Sequence, residues 1–372
     1  MSTQTNYSAD TIKTDIAIIG GGNAGITLAT KLKHQNAVVI EPKTPEQRNV
    51  SWALWAKSDV QDELVYATQG RWNQWRLVDH QREIIHKSNQ YHYISLCAAD
   101  YLRHCENKLS PNISLIRDTA QDIVSNGSGG TFTASDQKYF ANHIFDSRPA
   151  KLDKNGLKQH FLGIEVRTKE PIKNAHIATL MDFRVDQSRG LHFIYALPFS
   201  NHSLLIESTM ISTTLESKDW YKQAIFQWLD QQSIEIEEIT REEYGVIPMH
   251  KTSPIDDSLK SIGAASGAVR LSSGYAFTSI QTQIHQLAGC INKGEFRVPN
   301  VISGNINKLD KIYNAVLIAN PELGVELMMK TAVALDAEGF SRFMLGKASI
   351  KDWLRVILAM PKIPFLKQVF GL

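Results

Sequence analysis

The stretch DIAIIGGGNAGITLATKLKHQNAVVIE, Asp15 to Glu41, decides the fold. Its first residues, Asp15 to Ile19, form a short apolar run with strand character that leads straight into Gly20-x-Gly22-x-x-Gly25. A helical segment follows, with Gly25, Leu28, Ala29 and Leu32 on one face, and a second apolar run, Ala37 to Ile40, ends in Glu41. Strand, glycine turn, helix, strand and terminal acid together make a βαβ unit that holds a dinucleotide. Gly20 permits the tight turn, Gly22 lets backbone N–H groups approach a pyrophosphate, and Gly25 lets the helix pack closely on the strand. The helix start at Asn23 and Ala24 supplies partial positive charge to the phosphates. Glu41 stands where a carboxylate accepts hydrogen bonds from a ribose diol.

The remaining numbers are those of an ordinary globular chain. It has 372 residues, 43% hydrophobic and 21% charged, and a net charge of +2 that gives no reason to invoke nucleic acid. Cys97, Cys105 and Cys290 show no CxxC spacing and read as reduced, buried thiols of a cytoplasmic protein. No HExxH or His/Cys cluster points to a metal, and no GxSxG points to a serine hydrolase. The first residues, MSTQTNYSADTIK, are polar and carry no apolar signal region. No apolar run approaches the roughly 20 residues needed to span a bilayer.

Beyond Glu41 the chain stops alternating strand and helix. Four tryptophans (Trp52, Trp55, Trp72 and Trp75) crowd into Ser51 to Trp75. Residues 113–147 read as consecutive strands broken by the Ser/Gly turn SNGSGG at 125–130. Further strands, rich in β-branched and aromatic residues, follow at 159–166, 179–183, 192–199 and 203–210. Ser217 to Ser233 has helical spacing, and from about residue 276 the pattern is mainly helical. The expected architecture is α/β: a discontinuous Rossmann-type cofactor domain (1–50, 94–156 and 244–300), an inserted antiparallel-sheet substrate domain (51–93 and 157–243), and a helical C-terminal region (301–372). Such a meander suits a flavin better than a nicotinamide as the tightly held cofactor. A second segment, SIGAASGAVRLSSGYAFTSIQTQIHQL from Ser261 to Leu287, puts small residues and Gly274-Tyr275 before a helix. It reads either as a further cofactor contact or as a Gly-rich packing loop.

Several segments taken together resemble the lycopene cyclase family of flavoproteins. They are the fingerprint at 15–41, Ser51-Trp52, QHFLGIEV at 159–166, MDFR at 181–184, FIYALPFS at 193–200, LLIEST at 204–209, YGVIPM at 244–249, SSGY at 272–275 and the C-terminal RFMLGKASIKDWLRVIL. They lie in the family's order along nearly the whole chain. One departure stands out: the family has a His-Pro pair shortly before its Thr-Gly-Tyr, and this chain has Arg270-Leu271-Ser272-Ser273-Gly274-Tyr275. The resemblance implies a non-redox isomerisation. A linear carotene such as lycopene is protonated at a terminal double bond, the cation closes a six-membered ring, and proton loss gives a β-ionone end group. It also implies FAD, active in its reduced form, with NAD(P)H as the electron source.

Such a reaction needs a proton donor in a dry pocket. Glu207 matches the acid of the family's LLIE motif, and strand alternation puts it on one face with Ser203, Leu205 and Thr209. Under an apolar substrate it is desolvated and held neutral, ready to give a proton; read without the resemblance, a surface glutamate on an exposed strand face is the better reading. Glu165 and Asp182 also lie in strand-like segments and either assist proton transfer or pair with Arg167 or Arg184. A carbocation favours aromatic faces, for which Trp52, Trp55, Phe193 and Tyr195 are candidates, ordinary core packing being the alternative. Lycopene resides in a bilayer. The tail from Arg342 to Leu372 carries six basic residues and one acid, with Ile350, Trp353, Leu354 and Ile357 on one helical face. It reads as a peripheral membrane contact or as a helix packed on the protein's own core. The rival functions are a redox-active isoprenoid reductase or hydroxylase, and a flavin- or carotenoid-binding relative without catalysis.

Overall fold

A computed structural model describes residues 11–125, 127 and 129–371. The polar leader at 1–10, and Asn126 and Ser128 of the Ser/Gly turn, lie outside the described residues. Two seven-stranded sheets carry the fold. The first runs Ile113–Ile116, Ala37–Ile40, Thr11–Ile19, Gln137–Asp146, Gly130–Ala134 and Gln121–Ser125, with Lys260–Ser261 also pairing on Gln137–Asp146. Thr11–Ile19 pairs parallel with both Ala37–Ile40 and Gln137–Asp146. Ile16 to Ile19 and Ala37 to Ile40 are buried on both faces, as the unbroken apolar runs require. The helix Asn23–Lys31 packs Leu28 and Ala29 on one face of this sheet, beside Ile284 and Leu287 of the helix Phe277–Ile291.

The second sheet runs Ile236–Pro248, Lys158–Thr168, Ser203–Ser212, Leu191–Pro198, Ala178–Asp182, Gln74–Val78 and Glu83–Lys87. All its pairings are antiparallel except Ala178–Asp182 with Gln74–Val78. Its two faces separate by strand alternation. Leu162, Ile164, Leu204 and Ile206 pack on Tyr221, Ile225 and Trp228 of the helix Lys218–Gln231, which Ser217 caps by accepting from the Trp220 amide. The opposite face carries Phe161, Phe193, Tyr195, Glu207 and Thr209 and looks into a cavity. Five helices from Gly304 to Phe370 close the far side of that cavity. The aromatic core there joins Trp55, Trp75, Tyr93 and Phe193 to Leu327 and Phe340.

Two expected domain boundaries fall inside strands. Ile236–Pro248 continues through 243/244, because Tyr244 to Pro248 pair with Leu162 to Lys158 just as the preceding residues pair further along. His92–Cys97 continues through 93/94 as the middle strand of a three-stranded sheet with Ser51–Ala56 and Thr68–Trp72. Strand pairing, which turn signals do not reveal, sets both limits. Of the three thiols, Cys105 is buried as expected, while Cys97 and Cys290 are only half-buried.

Two histidines pin the helix Lys218–Gln231 and the loop before Leu191 to the back of the second sheet. The His160 ring is hydrogen-bonded to Tyr221 Oη and, at 3.0 Å, to Ser212 Oγ. His192 bonds Ser208 Oγ at 2.9 Å and the Asp186 carbonyl at 3.0 Å. Burial pushes both imidazoles down from 6.5 to about 4. Each therefore stabilises the folded chain fully above pH 6.5, and that contribution is lost as pH falls through this window toward 4. Thermal melts between pH 7 and 4 should show this acid loss, and His192→Gln should make it shallower by about one proton. An unchanged slope in the variant would contradict the assignment.

Candidate active site

The cavity has a volume of about 830 Å³ and lies between the glycine fingerprint, the second sheet and the C-terminal helices. At its fingerprint end, Gly20 has φ +95°, which only glycine adopts without strain at the strand-to-helix turn. A Cβ on Gly25 would lie 1.9 Å from the Gly20 carbonyl oxygen, so helix and turn touch backbone to backbone. Gly22 caps the helix without a side-chain bond, and no atom lies within 4 Å of where its Cβ would stand. The first turn of the helix thus opens on free space, and Gly22, Asn23 and Ala24 line the cavity. The Gly25 amide donates to Ser147 Oγ at 3.1 Å. Ser147 follows Asp146, whose two oxygens hold Arg148 at 2.9 and 2.7 Å.

The second segment faces this cleft. Gly263, Ala264 and Ala265 line it together with Ser273, Gly274 and Tyr275. Gly274 has φ +72°, and the Ser273 hydroxyl is buried without a partner among the described residues. An uncapped helix start, a glycine-walled approach and an orphaned hydroxyl fit an anionic dinucleotide along this wall. Glu41 lies outside the cavity lining: its oxygens accept from the Gly21 amide at 2.8 Å and the Lys43 amide at 2.9 Å, with Arg48 at 3.4 Å. Arg270, at the departure noted in the sequence, is buried and donates to Asp310 at 2.9 and 2.8 Å, and also to the Phe343 carbonyl at 2.7 Å. It ties the cofactor segment to the C-terminal helices.

Glu207 is on the cavity wall, 8% exposed. Its strand, Ser203–Ser212, is flanked by Lys158–Thr168 and Leu191–Pro198 in a register that sets Glu207 opposite Gly163 on one side and Tyr195 on the other. Burial in these surroundings, and then the neighbouring carboxylate of Glu243, push the Glu207 carboxyl well above the ordinary carboxylate range. That shift favours its neutral, protonated form. Glu243, a residue that sequence reasoning missed, sits opposite Gly163 from the other neighbouring strand. Its Oε2 accepts from the Ser51 amide at 2.9 Å and from Arg241. Only the register of Ile236–Pro248 brings it here; in the sequence it is one of several acids in EIEEITREEYG.

The aromatic candidates divide. Tyr195, Phe193 and Trp52 line the cavity. Tyr93 Oη bonds both Tyr195 Oη and Tyr275 Oη at 2.9 Å, making a buried hydroxyl cluster on the Glu207 wall, and burial pushes all three phenols well up. Tyr93 too escaped the sequence reading. Trp55 lies behind this layer, its ring 4.7 Å from Tyr93 and 5.0 Å from Tyr275. Asp182 takes no part in the cavity: Arg184 donates to its two oxygens at 2.8 and 2.6 Å, and Trp228 Nε1 donates to it at 2.9 Å from the back of the sheet. Although burial works the other way, these partners hold its carboxyl below the ordinary range. Glu165 pairs with Arg241 at 3.1 Å, whereas Arg167 pairs with Glu238.

A family model described as lycopene cyclase protein matches residues 15–369. The chain belongs to the lycopene cyclase family. Among the relatives of this family chain, a lycopene beta-cyclase of Pantoea ananas is 25% identical over 224 residues, which make up 56% of this chain and 58% of that protein. A lycopene beta-cyclase of Pseudescherichia vulneris is 20% identical over 370 residues, 94% of this chain and 95% of that one. Among solved structures, a geranylgeranyl bacteriochlorophyll reductase-like protein of Thermoplasma acidophilum superposes with TM-score 0.63 at 12% identity, covering 97% of this chain and 99% of that one. A flavoprotein/dehydrogenase of Cytophaga hutchinsonii gives 0.62 at 14%, covering 91% and 93%. At these identities the structures establish the Rossmann-type flavoprotein fold, and the family model is what separates a cyclase from its redox neighbours.

Gly25→Ala should drive the helix Asn23–Lys31 off its strand, since the added methyl meets backbone. The expected cost is about 3 kcal/mol or more, together with loss of flavin retained through purification. Native absorbance and an unchanged melting temperature in this variant would show that the close approach is not needed.

Proposed function

We propose that this chain is a lycopene β-cyclase that protonates and closes the ends of a linear carotene without net redox change. The observation that carries the reading is Glu207, a buried carboxyl pushed toward its neutral form on the wall of a largely apolar cavity that runs on into the glycine fingerprint. FAD would be held by the helix start at Gly22, Asn23 and Ala24, by the turn at Gly20 on which Gly25 packs the helix, and by Ser273, Gly274 and Tyr275, with Glu41 toward its ribose. Reduced at the expense of NAD(P)H, a bound flavin supplies negative charge that offsets a cation beside it. The protein's own groups do the rest. Glu207 gives its proton to the terminal double bond and takes one back after ring closure. Tyr195, Tyr93 and Tyr275, bonded to one another, present phenol faces to the cation, while Phe193 and Trp52 exclude water.

The C-terminal helices support access from a bilayer. Among the described residues, no helix is long and apolar enough to cross a membrane. Phe365 and Leu366 line the mouth of the cavity, while Ile350 is 80%, Leu358 73% and Phe370 69% exposed on the helices Ile350–Ala359 and Lys362–Phe370. Trp353, expected on the same outer face as Ile350, turns inward instead and packs on Phe343 with ring centroids 4.8 Å apart. Peripheral docking of this apolar face, with Lys351 and Lys367 near it, would deliver the carotene end directly to the cavity.

Expression in cells that accumulate lycopene should shift the pigment to γ- or β-carotene at unchanged mass, and Glu207→Gln should abolish the shift while flavin stays bound. A product carrying added hydrogen or oxygen would establish a redox relative instead. Unchanged lycopene beside bound, reducible flavin would leave a binding protein. In vesicle flotation, Leu358→Glu with Phe370→Glu should lower the bound fraction roughly tenfold or more, since each exchange removes an apolar side chain from the interface. Equal flotation of variant and wild type would remove this face from the docking reading.

A further inference from the structure

Gly163 is the pivot of a second carboxyl at this site. In the central strand Lys158–Thr168 it faces Glu207 on one neighbour and Glu243 on the other. A Cβ at Gly163 would lie 2.8 Å from Glu207 Cγ and 3.2 Å from Glu243 Cγ, so both stems lean across the space that the missing side chain leaves. Glu243 is fixed from behind. Its Oε2 accepts from the Ser51 amide and from Arg241, and Arg241 also reaches Ser51 Oγ at 2.9 Å and Glu165 at 3.1 Å. Its other oxygen, Oε1, is buried and has no donor among the described residues. A proton on Glu207 would offer this oxygen a donor, and an ionised Glu207 would leave two buried carboxylates side by side with one guanidinium, on the far side of Glu243.

We propose that Glu243 is the positioning partner of Glu207, the two carboxyl groups sharing a single proton above Gly163 so that Glu207 holds it ready for an apolar substrate. This inference rests on the reading of Glu207 as the acid. The groups that face the pair are Arg241 and the Ser51 amide behind Glu243, Glu165 beyond Arg241, and the phenols of Tyr195, Tyr93 and Tyr275 on the Glu207 side. Among them Arg241 is the sole fixed cation. When Glu207 protonates the alkene, its O–H bond breaks and the π pair forms the new C–H bond, leaving a carbocation. Two carboxylates and one guanidinium, a net single negative charge, then lie beneath that cation. After ring closure a ring C–H proton returns to the pair, its bonding electrons become the ring double bond, and no atom or electron is gained or lost. Repulsion between the two carboxylates favours that return.

The test is infrared difference titration of protonated carboxyl groups in the full-length, flavin-loaded protein, beside the pH profile of lycopene conversion. Wild type should show one buried protonated carboxyl at neutral pH, absent in Glu207→Gln. In Glu243→Gln, the midpoint of its loss should move down by about one pH unit or more, and the rate at neutral pH should fall about tenfold, recovering as pH is lowered. Gly163→Ala keeps both charges and wedges the stems apart, so it should move the midpoint in the same direction, while Glu243→Asp restores it in part. Retained flavin absorbance and melting temperature identify folded variants. If the Glu207 signal titrates at the same pH in wild type, Glu243→Gln and Gly163→Ala, the sharing is overturned. Cyclisation by wild type with an unmoved profile in Glu243→Gln defeats this inference alone, whereas no cyclisation by wild type defeats the function and leaves the infrared midpoint still readable.

Discussion

The register of the strand Lys158–Thr168 between Ser203–Ser212 and Ile236–Pro248 is the constraint on which the site depends. Side chains alternate across a sheet, so one residue of slip would move Glu207 to the face packed by the helix Lys218–Gln231 and put Ile206 or Ser208 in the cavity. The back face resists this. Leu162, Ile164, Leu204 and Ile206 are buried under Tyr221, Ile225 and Trp228, and His160 and His192 hold hydroxyls there that slip would orphan. The apolar packing behind the sheet thus fixes a carboxyl in front of it.

The same sheet explains why two similar acids differ. Asp182 and Glu207 are both buried acids of one sheet, on strands separated by Leu191–Pro198. Asp182 has Arg184 and an indole N–H on its oxygens and is held as an anion. Glu207 has a glycine, a phenol and another carboxyl across from it, and the cation nearest to that carboxyl is already bonded to it. Environment, not residue type, pushes the two carboxyls in opposite directions.

The flavoprotein scaffold is shared with reductase-like and dehydrogenase proteins, and such a scaffold hosts many chemistries. In this chain the wall opposite the fingerprint and the C-terminal helices enclose the cavity. Arg270 couples the two: from the cofactor segment it binds Asp310 and the Phe343 carbonyl. A buried Arg–Asp pair of this kind fixes the C-terminal helices against the cofactor wall, since separating the partners would strand a charge. The departure from the family pattern therefore has a structural occupation in this chain.

The βαβ unit, the meander, the antiparallel strands and the helical tail were legible because their signals are local. Glycine at a turn that only glycine adopts, apolar runs with period 2, and helical spacing in Ser217 to Ser233 all act within a few residues. Glu207 was legible as a residue and, through alternation, as a member of one strand face. Its partners were not. Glu243, Arg241, Ser51 and Tyr93 are brought to it across strands far apart in the chain, and pairing between strands leaves no mark within any one of them. That the expected limits at 93/94 and 243/244 fall inside strands was hidden for the same reason. Whether Asp182 assists proton transfer or pairs with an arginine stayed open in the sequence, because its side of the sheet depends on which neighbours it pairs with, including a bulge within Ala178–Asp182. Sequence determined which elements form and which chemical groups they carry; tertiary structure alone decided which of those groups meet, because burial and charge coupling depend on distances that only packing sets.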